Sequence, residues 1–158
     1  MRKPLFSIAA ATRWTKQVAA QRPFGTTDAI YEAADAVWRK MERTDILEAF
    51  SHHPQIGQNA VTGSESHRQW SEGEQTGART ATDDVKARLA NGNRTYNAKF
   101  GHIFIICASG KSADEMLALL EQRLQNDAAQ ELQIAAEQQQ LIMRLRLEKL
   151  FAGARASS

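Results

Sequence analysis

Only one stretch of this 158-residue chain reads as a β-strand, and it has nothing to pair with. His102-Ile103-Phe104-Ile105-Ile106-Cys107-Ala108 is a short apolar run closed by Ser109-Gly110. A solitary strand cannot satisfy its backbone N–H and C=O groups through a ladder. The run is therefore expected as an extended or helical core segment, and the fold around it must be built from helices.

Helical periodicity fills most of the remaining chain. After Thr26-Thr27-Asp28, the residues Ile30, Ala33, Ala34, Val37 and Met41 share one face, the pattern of a capped amphipathic helix. Thr44 is expected to cap a short helix carrying Ile46, Leu47 and Phe50, which must stop at Pro54 because the residue before a proline avoids the helical region. Gln55 to Gln69 is polar, glycine-containing and without period, a loop long enough to suggest function. Ser71-Glu72-Gly73-Glu74 has capping-box spacing. Val85, Leu89, Tyr96 and Phe100 mark another helix, with a break expected near Asn91-Gly92. Ser112 with Glu115 opens a helix bearing Met116, Leu117, Leu120 and Leu124. Asn126 or Asp127 caps the longest one, with Leu132, Ala135, Ala136, Ile142, Leu145 and Leu150. The expected fold class is all-α, a single-domain helical bundle over residues 13–151. Residues 1–12 are expected as a flexible N-terminal segment and 152–158 as a flexible tail.

Charge narrows the function classes. Twenty basic and 18 acidic residues are interspersed along the chain and leave a net charge of +2, with no basic block of the kind that binds nucleic acid or an anionic membrane. No stretch is apolar for long enough to cross a bilayer. Arg2 and Lys3 precede an apolar run, but Ser7 interrupts it and Arg13 closes it, so no cleaved signal is expected. The one cysteine, Cys107, cannot form an internal disulfide, and a cytoplasmic location follows as the expectation.

The residues able to carry chemistry cluster around the long loop. His53 closes the short helix just before Pro54. It can serve as a surface residue favoured by the helix dipole, or as a general acid or base with a pKa near neutrality. Glu74 can simply complete a capping box, or with Gln75 it can face His53 across the loop. His52, His53, His67 and His102 lack the spacing of a zinc helix motif, so no metal site is expected. Cys107 lies in an apolar run and reads as core. Phosphate loops and dinucleotide fingerprints are absent.

Two of these pieces, His53-Pro54-Gln55-Ile56-Gly57 and Trp70-Ser71-Glu72-Gly73-Glu74-Gln75, resemble the paired signatures of the OHCU decarboxylases. The full substrate name is 2-oxo-4-hydroxy-4-carboxy-5-ureidoimidazoline. Further pieces follow in the family's order: Arg22-Pro23-Phe24, the stretch Leu89 to Lys111, Glu121 to Asn126, and Leu145-Arg146-Leu147 with Leu150-Phe151. The resemblance runs from about residue 13 to residue 151. The family's serine-proline-tryptophan start is only partly kept, since Ala11-Thr12-Arg13-Trp14 retains the tryptophan alone.

The resemblance implies a helical, homodimeric lyase of urate breakdown that uses no metal or organic cofactor and releases (S)-allantoin. By position, His53 and Glu74 resemble the catalytic pair. Ser71 and Gln75, Pro54, the backbone of Phe104, Ile105, Ile106, Cys107 and Ala108, and Arg146 resemble the substrate-binding set, with Arg144 a near neighbour of the last. A protein of another class, a catalytically inactive helical interaction module, could use the same scaffold.

Overall fold

The computed structural model describes residues 2–53 and 82–156. Seven helices occur among them: α1 (Arg2–Ala9), α2 (Thr12–Ala19), α3 (Thr27–Trp38), α4 (Arg43–Ser51), α5 (Asp83–Phe100), α6 (Ala113–Arg123) and α7 (Ala128–Ala156). The expected loop over 55–69 and the capping box at Ser71 lie outside the described residues.

The first helix occupies most of the 1–12 segment expected to be flexible. Pro4 is tolerated in α1 because first-turn N–H groups have no intrahelical acceptor. Leu5, Ile8 and Ala9 are buried, as are Ala10 and Ala11 beyond the helix. Complete burial of Ile8 alone contributes roughly 1.5–3 kcal/mol, enough to hold so short a helix in place. Ala10 turns the chain in the left-handed region, φ 54°, and its N–H donates to the Phe6 carbonyl at 2.6 Å. Helix α7 continues to Ala156, into the expected tail of 152–158.

Capping follows the sequence closely elsewhere. The Thr26 hydroxyl accepts from Ala29 N–H, that of Ser112 from Glu115 N–H, and the Asp127 carboxylate from Gln130 N–H. Helix α4 starts two residues earlier than a Thr44 cap would place it: Glu42 is its N-cap, and Glu42 N–H donates to Asp45. Gly101 ends α5 in the left-handed conformation, φ 77°. The expected break at Asn91-Gly92 does not occur. A Cβ on Gly92 would lie 2.6 Å from Leu120 Cδ2, so this glycine lets α5 and α6 pack closely.

The core has three neighbouring clusters, and α7 contributes to two of them. Helices α1 to α4 gather Trp14, Val18, Ile30, Val37 and Trp38 around Met143 and Leu147. Helices α5 and α6 close on Phe104, Ile106 and Ala108. Between them Phe50, Ile105 and Cys107 meet Ala135 and Ile142. Trp38 Nε1 donates to the Ala136 carbonyl at 3.0 Å and Trp14 Nε1 to that of Ala34 at 3.0 Å, so neither indole buries its donor unpaired. Three polar residues, Glu131, Gln139 and Arg146, interrupt the apolar inner face of α7 about two turns apart, each 0% exposed.

Candidate active site

His53 follows the C-cap of α4 and is half-buried. Its N–H donates to the Phe50 carbonyl at 3.1 Å, the tightened last turn that a helix makes before a proline. Its side chain turns inward, and Nε2 lies 2.6 Å from Gln139 Oε1 on α7. The helix-end surface position that local sequence also allowed for His53 is thereby replaced by a contact with the core helix. Pro54, Ser71, Glu74 and Gln75 lie outside the described residues.

Arg146 sits two turns beyond Gln139 on the same helix. A long cation flanked by leucines either carries its charge out to water or turns into a polar interior. Arg146 does the second: Nη1 donates to the Ile8 carbonyl at 2.9 Å. Arg144 points away. It pairs with Glu148 at 3.0 Å and lies 3.9 Å over the Tyr31 ring.

The 104–108 segment is buried at every residue yet belongs to no regular element. Side chains replace the missing ladder. Gln138 Oε1 accepts from Cys107 N–H at 3.0 Å, Lys111 Nζ donates to the Cys107 carbonyl at 2.8 Å, and Arg123 Nη1 donates to the Ile105 carbonyl at 2.7 Å. These groups hold the segment in place. Among the described residues, no backbone–backbone hydrogen bond reaches Phe104 or Ile106.

A buried ionic cluster anchors Arg123. Glu131 accepts from Tyr96 Oη at 2.6 Å, from Arg123 Nε at 2.6 Å and from Asn126 Nδ2 at 3.0 Å. Burial, reinforced by the bond to Glu131, pushes the Tyr96 phenol far above its ordinary range. The Arg123 guanidinium also covers the Phe104 ring, 4.5 Å from its centroid. Sequence reading missed this cluster, because Glu131 and Arg123 are ordinary charged letters on helices; the one available signal was their shared location beside helix ends.

The other histidines divide. His102 packs among the rings of Phe50, Tyr96 and Phe100 at 5.2, 5.5 and 6.2 Å, and burial holds its pKa below the ordinary value. His52 meets the Phe6 ring edge-on at 5.7 Å. Among the described residues no three His, Cys, Asp or Glu side chains converge on a point that could hold a metal. Cys107 is buried, as its apolar surroundings required.

Comparison with known proteins decides the family. The family model for OHCU decarboxylase matches residues 1–148. The chain belongs to the OHCU decarboxylase family. Its similarity to the uric acid degradation bifunctional protein TTL of Arabidopsis thaliana is 40% identity over 145 residues, 90% of this chain but 44% of that protein. It is also 32% identical over 100 residues to 2-oxo-4-hydroxy-4-carboxy-5-ureidoimidazoline decarboxylase of Xenopus laevis, 63% of this chain and 57% of that one. The chain thus spans about half the length of these relatives. The crystal structure of an OHCU decarboxylase in the presence of (S)-allantoin matches with a TM-score of 0.84 at 35% identity, over 96% of this chain and 99% of that one. The all-α bundle is therefore the family's fold.

Proposed function

We propose that this OHCU decarboxylase family member converts 2-oxo-4-hydroxy-4-carboxy-5-ureidoimidazoline to (S)-allantoin without a cofactor. The observation that carries this reading is the end-to-end likeness to a decarboxylase crystallised with (S)-allantoin. The turn of His53 toward α7 and the burial of Arg146 on the same inner face agree with it.

The chemistry explains why side chains suffice. Breaking the bond to the carboxylate releases CO₂ and leaves an electron pair, which the adjacent ring C=N accepts. The substrate supplies its own electron sink, so the protein's share is positioning and proton traffic. His53 takes the hydroxyl proton as that oxygen becomes a carbonyl, with the Glu74 carboxylate favouring the imidazolium that forms; a positioned base of this kind contributes about 10²–10⁴-fold. Arg146 offers a planar fork to a carboxylate or ureido oxygen. Ser71, Gln75, Pro54 and the 104–108 backbone complete the pocket, and delivery of a proton to one face of the neighbouring carbon gives one enantiomer. The reading includes a cytoplasmic homodimer, whose stoichiometry sedimentation equilibrium would measure.

The test is optical. Freshly made products of urate oxidase and hydroxyisourate hydrolase are mixed with the protein, and the circular dichroism of allantoin is followed. A signal of one sign, rising faster than spontaneous decay and surviving dialysis against a chelator, is the expected result. Racemic allantoin formed at the uncatalysed rate would sink the proposal.

A further inference from the structure

Gln139 breaks the pattern of the face it occupies. Ala135, Ile142 and Met143 surround its position on α7 with apolar side chains, and Gln139 itself is 0% exposed. Half of its amide is satisfied by the contact of Oε1 with His53 Nε2 at 2.6 Å. Its Nε2 is buried with no hydrogen-bond partner among the described residues. A buried amide with an unpaired donor is unfavourable relative to an apolar side chain of the same shape. Packing gives no reason to keep it there, and the histidine does.

We infer that Gln139 is a positioning residue for His53, fixing both the orientation and the tautomer of its imidazole. An amide oxygen can only accept, so the nitrogen facing it carries the proton. In a neutral ring the other nitrogen, Nδ1, then holds the lone pair and is the atom that takes a proton from the substrate. Being neutral, the amide orients the ring without setting a charge against it. Its place on a long helix packed on both flanks holds the oxygen more firmly than a loop could. The inference rests on the catalytic role proposed for His53.

Steady-state kinetics and ¹⁵N spectra of the labelled imidazole, taken on the whole protein where the ring is neutral, test it. The wild-type spectrum should show His53 as the Nε2–H tautomer. Gln139→Leu, close in volume and without polar atoms, should lower kcat about 10–100-fold with KM within about twofold, and should mix the tautomers. Gln139→Glu keeps an acceptor and should retain the Nε2–H tautomer. A wild-type ring protonated at Nδ1 overturns the inference, and this measurement needs no variant to fold. Wild-type kcat in Gln139→Leu overturns it equally. His53→Ala, measured alongside, separates the two levels: if it is inactive while Gln139→Leu is normal, only the positioning role falls. If His53→Ala turns over normally, the catalytic reading of His53 falls as well.

Discussion

The guanidinium of Arg146 bonds to the carbonyl of Ile8 across 138 residues of sequence, at 2.9 Å. One side chain therefore ties the last helix to the first while occupying the inner face proposed to bind substrate. Arg146→Lys should impair both stability and turnover. An ammonium cannot reproduce the fork, and a buried carbonyl left unpaired costs about 1–3 kcal/mol. Arg144→Lys should change stability by less than about 0.5 kcal/mol and leave turnover unaltered, because its pair with Glu148 is exposed. Kinetics well below each variant's melting point decide the matter, and equal effects at the two positions would refute the assignment.

Removing the charge of Glu131 should be far more damaging than its distance from His53 in the chain implies. Glu131→Gln leaves the Arg123 cation buried without its counter-ion, an expected loss of about 3–5 kcal/mol. Urea unfolding measures it. A midpoint shift equivalent to less than about 1 kcal/mol would show that the cluster contributes little beyond packing.

Stability should fall on both sides of a plateau in pH. Burial lowers the pKa of His102, so the folded state binds fewer protons there than the unfolded chain. That contribution is complete above about pH 6.5 and is lost as the pH drops through that value. Burial raises the pKa of Tyr96, so its contribution is complete below about pH 10 and is lost as the pH climbs beyond it. His102→Phe, placed among three aromatic rings, should flatten the acid limb. Chemical unfolding of the two proteins between about pH 5 and 7 reads the difference, and parallel curves would exclude His102 as the cause.

Gly92→Ala should destabilise despite alanine's better helix propensity. The gain of up to ~1 kcal/mol is outweighed by overpacking against the fully buried Leu120, about 1–3 kcal/mol. Adding Leu120→Val should recover part of the loss. A higher melting temperature for the single variant would mean that the two helices have room to separate.

These residues also show what could be read from letters alone. The cap at Ser112 was legible, and those at Thr26 and Asp127 to within a residue or two, because capping is local chemistry with fixed spacing. The inward side of Arg146 followed from the family resemblance and not from its leucine neighbours, which allow a long cation to reach solvent as well. Helix α1 was not legible, since a proline and a run of small residues resemble a loose end until a partner buries Ile8. Gln139, Glu131 and Arg123 were hidden for the opposite reason. A polar residue in an amphipathic helix reads as solvated, and only the tertiary fold shows that these three face inward.

The unpaired apolar segment at 104–108 bears on how this protein fails. Short runs rich in isoleucine and phenylalanine without charge are the stretches through which unfolded chains stack on one another. In the folded molecule Gln138, Lys111 and Arg123 occupy backbone groups that another copy would need. Those three side chains thus act as a guard as well as a brace. Loss of the Arg123 anchor should expose an adhesive segment, so that the weakened protein precipitates on warming instead of unfolding reversibly.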